Sequence, residues 1–236
     1  VASGMPLIYP VYQEGDDKEG VKLVFMPPVS PMLSMTSSHA SGNSGKPYVL
    51  ICPGGAYARQ WGLIEGLALG ARMNRLGYPA FVLYYRTAQK PPFDPPLMPK
   101  PIEDLAAAIR LIEHRAEDFG VRKEDYAVAG FSAGAHLAGL HAAVWNRASW
   151  YPQGTDLALH QPNAAVLCYP VVSAGEYAHR GSFEQLAGDD TEKQQAFSLE
   201  TLVSPDMPRT FLWHTLTDET VPVENSLLLE KSLRRA

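Results

Sequence analysis

Along the chain, short apolar runs alternate with longer stretches whose apolar positions recur every three to four residues. The runs at 21–25, 48–52, 79–85, 126–131, 164–169 and 210–214 read as strands. Most are continuously apolar, as expected of strands buried on both faces. Helices are predicted near 62–76, 102–119, 133–146, 191–197 and 223–235. Leu105, Ile109 and Ile112 keep the i, i+4, i+7 spacing of a helix laid on a sheet, and so do Leu69, Met73 and Leu76. Such alternation predicts an α/β fold, a mostly parallel central sheet with helices on both faces. Neither a repeat nor an interdomain linker interrupts it, so residues 1–236 read as a single domain. Two stretches break the pattern. Residues 27–47 are rich in Pro, Ser and Gly and read as a surface loop. Residues 90–101 carry six prolines and exclude regular helix or central strand, leaving a rigid cleft wall or a plain connector.

The chemistry is carried by Gly130-Phe131-Ser132-Ala133-Gly134. This G-x-S-x-G follows the apolar run Tyr126-Ala127-Val128-Ala129 and precedes small, helix-compatible residues. A strand turning sharply into a helix through a serine is a nucleophile elbow. The turn lifts the hydroxyl clear of the backbone, and the glycines at −2 and +2 remove side chains that would crowd it. The helix start directs free N–H groups at developing negative charge.

Upstream, the predicted strand 48–52 ends in Pro53-Gly54-Gly55-Ala56-Tyr57, a loop suited to turning N–H groups toward an oxyanion. Neither phosphate-binding glycine pattern is present. Downstream, the strand 210–214 ends at His214, and the loop beyond it carries Asp218, where an acid partner of the serine is expected. A solvated turn aspartate or a helix N-cap are the alternatives for Asp218.

With these pieces the chain resembles the α/β-hydrolase superfamily, and within it the small carbohydrate acetylesterases and acetyl-xylan-esterase-like carboxylesterases. The similarity runs from about Val21 onward through PGGAY (53–57), IEGLALGARMNRLGYPAFVLYYR (64–86), PIEDLAAAIRLI (101–112), GFSAGAHLAG (130–139), LAGDD (186–190) and SPDMPRTFLWHTLTDETVPVENSLLL (204–229). Ala56 stands where a third glycine is usual, and only its N–H is needed. The resemblance implies Ser132 as nucleophile, Asp218 as acid, an oxyanion hole from the N–H groups of Ala133 and of Gly55 or Ala56, and hydrolysis of short-chain esters, such as acetyl groups on carbohydrates. No metal and no cofactor is needed. Tyr57 and Trp61, just past the oxyanion loop, are expected to line the substrate pocket, with a core position equally open for Trp61.

The superfamily's order is serine, acid, histidine, yet none of the seven histidines follows Asp218. The expectation is a chain shortened at its C-terminal end, lacking a last strand and a histidine-bearing loop and so leaving an uncovered sheet edge. His214 is expected to shape the acid loop, and His136, one turn after Ser132, to pack along the helix. His114 and His141 fall in helical patterns, whereas His179 sits in a polar loop from which it could swing toward the cleft. Two rival readings remain. One is a non-catalytic ligand-binding protein on the same fold. The other is a peptidase, because the segment around Asp218 also resembles the prolyl-oligopeptidase family.

Composition narrows the partners. A net charge of −5 gives no basic footprint for nucleic acid, and 19% charged residues argue against disorder. No apolar run is long enough to span a bilayer. Cys52 and Cys168 lie in apolar runs and read as buried free thiols; no metal-ligand spacing is present. A small ester substrate is the expected partner, and homo-oligomerisation stays open. No leader is visible, which points to the cytoplasm, but the chain starts at Val1 and secretion stays open.

Overall fold

The computed structural model describes residues 5–12, 20–28, 45–88 and 95–236. Residues 29–44 of the predicted first loop, with His39, and residues 89–94 of the proline-rich stretch lie outside them. The chain begins with β1 (Leu7–Pro10), β2 (Lys22–Met26) and β3 (Lys46–Cys52). A π-helical turn, Gly62–Leu67, then runs into α1 (Ala68–Arg75). After β4 (Ala80–Tyr84) come α2 (Lys100–His114), α3 (Ala116–Phe119), β5 (Val121–Phe131) and α4 (Ala133–Val144). β6 (Ala164–Cys168) is followed by α5 (Arg180–Ala187), α6 (Thr191–Ala196) and α7 (Leu199–Leu202), then β7 (Arg209–Trp213) and α8 (Glu224–Arg235).

The seven strands form one sheet in the order β1-β2-β4-β3-β5-β6-β7. β4, β3, β5, β6 and β7 are parallel, while β1 and β2 form an antiparallel flank. Cys52 is level with Gly130, and Phe131 with Cys168, which in turn is level with Trp213. Four loops therefore leave the sheet at one carboxyl edge, where ligands of open α/β sheets bind.

Both faces are covered, as the continuous apolar runs require. On one face Leu50, Phe81 and Val128 pack with Leu105 and Ile109 of α2 and Leu137 and Leu140 of α4. On the other, Ile51, Val82 and Ala129 pack with Leu69 and Met73 of α1. Leu76 does not join them; it is exposed just past the end of α1. Every residue of α4 is buried, so its apolar surface runs all round the helix rather than along one stripe. Cys52 is a buried free thiol and Cys168 a half-buried one. Among the described residues no helix is long and apolar enough to cross a membrane.

Four departures from the sequence pattern have local causes. β1 is mostly exposed and carries no buried run; backbone pairing with β2 makes it a strand. β5 begins at Val121, five residues before its apolar segment, because Val121 pairs with Lys46 ahead of a register shift, with Glu124 at φ +57°. The predicted helix 102–119 breaks at Arg115, and α2 starts earlier, at Lys100, with Pro101 in the first turn where no amide is required. α5 was hidden by its short length and polar flanks. At the end of β4, Arg86 forms a buried ion pair with Asp104 of α2, its Nε 2.9 Å from Oδ1, while the Arg86 amide donates to Oδ2. That cluster pins the strand end against the helix.

Among the described glycines the closest approach of other backbone is at Gly134. A Cβ there would lie 2.1 Å from the Cys52 carbonyl oxygen, and one at Gly130 would lie 2.3 Å from the Gly134 carbonyl oxygen. G134A should cost about 3 kcal/mol or more in chemical denaturation, since backbone must move. G154A, at a positive φ with open space around it, should cost only about 1–2 kcal/mol.

Candidate active site

Ser132 closes β5 and caps α4 with φ 52° and ψ −121°, a conformation strained for any residue with a Cβ. Its neighbours hold it there. The Ser132 N–H donates to the Cys168 carbonyl at 3.0 Å, and its carbonyl accepts from the His136 N–H at 3.1 Å. These bonds tie the elbow to β6 and to the first turn of α4. The side chain faces a cleft of about 840 Å³ whose walls include Gly55, Ala56, Trp61, Tyr169 and Asp218.

The loop after β3 is built from left-handed residues: Gly55 at φ +131°, Ala56 at +58° and Tyr57 at +59°. Its carbonyls are engaged within the loop. The Gly54 carbonyl accepts from the Trp61 N–H at 3.0 Å, and that of Gly55 from the N–H groups of Ala58 and Arg59. Ala133, wholly buried, is the first residue of α4, so its N–H belongs to the turn that has no intrahelical acceptor. Gly55, Ala56 and the elbow thus stand on one cleft.

Tyr57 does not line that cleft, contrary to the sequence expectation. It is fully buried, and its hydroxyl lies 2.9 Å from His136 Nδ1, with the rings edge-on. The left-handed turn points the side chain inward, where a polar partner waits. Trp61, for which pocket and core were both open, lines the cleft and not the core. It is half-exposed at the rim, with the Arg59 guanidinium 4.8 Å above its ring.

Asp218 stands in the loop after β7. Its Oδ1 accepts from the N–H groups of Thr220 and Val221, both at 2.9 Å, so the carboxylate is fixed by its own turn. It does not cap α8, which starts at Glu224. His214 Nε2 donates to the Val221 carbonyl at 2.8 Å and stands 3.6 Å from Asp218 Oδ2, too far for a hydrogen bond, while Nδ1 meets Ser226 Oγ at 2.7 Å. Both ring nitrogens are thereby committed, Nε2 to the acid loop and Nδ1 to α8.

Three of the remaining histidines, His136, His141 and His179, are committed too. His136 Nε2 donates to the Phe197 carbonyl at 2.8 Å, leaving Nδ1 to accept from Tyr57. Burial holds it neutral, with a pKa lowered to about 4. His141 sits between the hydroxyls of Tyr126 and Tyr151, and burial lowers its pKa as well. His160 is buried, and His114 is exposed at the end of α2. His179 does reach the cleft wall, but its Nδ1 accepts from Ser182 at the start of α5. Among the described residues no histidine ring is hydrogen-bonded to the Ser132 hydroxyl.

The cleft residues that the sequence did not single out include Glu65, in the π-helical turn, and Tyr169, just past β6 at φ +37°. An acid inside a helical stretch reads as a solvated one, and only the fold turns Glu65 inward.

A parallel sheet with a strained serine between strand and helix at its carboxyl edge defines an α/β hydrolase. The chain belongs to the BD-FAE family, whose model matches residues 37–233. Similar curated proteins include endo-1,4-beta-xylanase B of Butyrivibrio fibrisolvens, 34% identical over 79% of this chain and 29% of that protein. The acetylxylan esterase of Xylanibacter ruminicola is 29% identical over 60% of this chain and 26% of that protein. The chain spans under a third of the length of the curated relatives it matches. Among solved structures, the acetyl ester-xyloside bifunctional hydrolase of Caldicellulosiruptor lactoaceticus aligns with TM-score 0.76 at 30% identity, over 98% of this chain and 82% of that one.

The buried imidazole of His136 makes a pH prediction. Unfolded, it takes a proton near pH 6.5; folded, only near 4. Between these values the unfolded state binds more protons, so His136 lowers stability as pH falls from about 6.5 to 4. H136Q should flatten the slope of unfolding free energy against pH in that window by up to about 1.4 kcal/mol per pH unit, measured by denaturant titration at each pH.

Proposed function

We propose that this domain hydrolyses carboxylic esters of short acyl groups, acetyl on carbohydrate above all, with Ser132 as nucleophile. The observation that carries the reading is the convergence of Ser132, Gly55, Ala56 and Asp218 on one cleft. The Ser132 oxygen attacks the ester carbonyl carbon, the C=O electrons move onto oxygen, and the N–H groups of Ala133 and of Gly55 or Ala56 receive that charge. Losing one such donor costs about 2.7–4 kcal/mol of barrier. Collapse of the tetrahedral intermediate expels the alcohol and leaves an acyl-serine, which water then cleaves. Asp218, held by the amides of Thr220 and Val221, is placed to orient an imidazole. The superfamily's order puts that imidazole, the acceptor of the serine proton, after Asp218 in the chain. The half-exposed Trp61 offers a flat apolar face at the rim for a sugar ring. The similar acetylxylan esterase and acetyl ester-xyloside hydrolase support acetylated xylan fragments as the substrate class.

One second reading is a binding pocket without turnover, because among the described residues no histidine ring reaches the Ser132 hydroxyl. A single experiment separates the two. The natural full-length protein is assayed on an aryl acetate and on acetylated xylo-oligosaccharides, and their binding is measured by calorimetry. The esterase reading expects S132A to lower kcat by roughly 10⁴-fold or more and D218A by roughly 10³- to 10⁴-fold. Binding of the oligosaccharides with no turnover that S132A abolishes would establish the binder instead.

A further inference from the structure

Among the described residues two carboxylates stand on the cleft wall, Asp218 and Glu65. Glu65 has no part in the chemistry set out above. We propose that it is a positioning residue for the oxyanion loop, a clasp that joins the loop after β3 to the chain after β6 and so fixes how Gly55 and Ala56 present their N–H groups beside Ser132. This rests on the esterase reading of the cleft.

The geometry is specific. Glu65 Oε2 accepts from the Gly54 N–H at 2.6 Å, and Oε1 accepts from the Tyr169 hydroxyl at 3.0 Å. Gly54 is the residue immediately before the two proposed donors. A Cβ built on it would lie 2.9 Å from Glu65 Oε2 and 2.9 Å from the Ser132 Cβ, so carboxylate and nucleophile flank the same backbone position. Tyr169 is itself held in a left-handed conformation, and its N–H donates to the Trp213 carbonyl at 2.6 Å. The clasp therefore links the ends of β3 and β6, and through Tyr169 the end of β7 that leads to Asp218.

Delivery of the side chain also looks built. Glu65 lies in the π-helical turn, a wide turn that proteins retain mostly at functional sites. Gly62 and Gly66 seat that turn flat on β4, because a Cβ on Gly62 would strike the Tyr84 hydroxyl at 2.3 Å and one on Gly66 the Val82 side chain at 2.6 Å. Leu63 and Ile64 are left exposed, while Glu65 turns inward. Both carboxylate oxygens are occupied and neither bonds to Ser132, so Glu65 is an acceptor pair and not the base. Its negative charge would oppose an oxyanion alongside. Burial pushes its pKa up, against the Gly54 N–H and the Tyr169 hydroxyl, which pull it down. What the site needs from residue 65 is two hydrogen-bonding atoms at a fixed spacing, which a glutamine also supplies, its Oε1 to Gly54 and its Nε2–H to the Tyr169 oxygen.

The test uses the natural full-length protein. E65A should lower kcat for an aryl acetate by roughly 10- to 100-fold with KM within about threefold, because only the transition state uses the aligned N–H groups. E65Q should recover kcat to within about fivefold of the parent, with Y169F falling between the two. Amide hydrogen exchange at Gly54 should speed up in E65A and stay slow in E65Q. Parent-level kcat in E65A, a loss carried by KM, or an E65Q as impaired as E65A would overturn the proposal. If the parent shows no turnover sensitive to S132A, the esterase reading fails, and Gly54 exchange still decides the clasp: exchange unchanged in E65A rejects it. Should E65A not fold, E65Q and Y169F carry the same comparison.

Discussion

The site depends on one contact in which no side chain takes part: the approach of Gly134 to the carbonyl oxygens of Cys52 and Pro53. It brings the first turn of α4 against the end of β3. The same approach sets the oxyanion loop beside the elbow, since that loop is the direct continuation of β3. Even a methyl group at position 134 would keep the helix from coming so close. The glycine two residues after Ser132 follows from this. So does the strain at Ser132, which hydrogen bonds to β6 and α4 keep from relaxing.

The parts of the site held by local rules were legible from sequence. A serine between two glycines, after an apolar run and before a helical one, defines an elbow wherever the chain puts it. An acid just past a strand end is equally local. Tyr57 illustrates the limit. An aromatic after a glycine-rich loop can face cleft or core, and the outcome was set by a left-handed φ and by His136, a partner far along the chain. Glu65 was hidden for a similar reason, because its direction depends on two glycines seating a π-helical turn against Tyr84 and Val82. Strand β1 and the polar start of β5 exist through backbone pairing, which leaves no apolar signature.

The histidines show how one side chain serves different ends in one domain. His136 and His141 sit in the core as neutral bridges, each placed between partners that a single tautomer satisfies on one side and a hydroxyl on the other. His214 does comparable work behind Asp218, spanning from the Val221 carbonyl to Ser226 and so joining the acid loop to α8. His179 ends a loop by accepting from the first turn of α5. Each stiffens a junction between elements, and the cleft inherits that stiffness.

The strand order carries a consequence for biosynthesis. From β3 onward the chain lays β4 on one side, then β5, β6 and β7 in succession on the other, each beside its predecessor. A nascent polypeptide emerging from the ribosome can therefore build the sheet in the order in which it is translated. The oxyanion loop leaves with β3, the serine with β5, Tyr169 with β6 and Asp218 with β7. Until Trp213 docks alongside Cys168, Ser132 is present without Asp218, so the two come to one cleft only with that docking step.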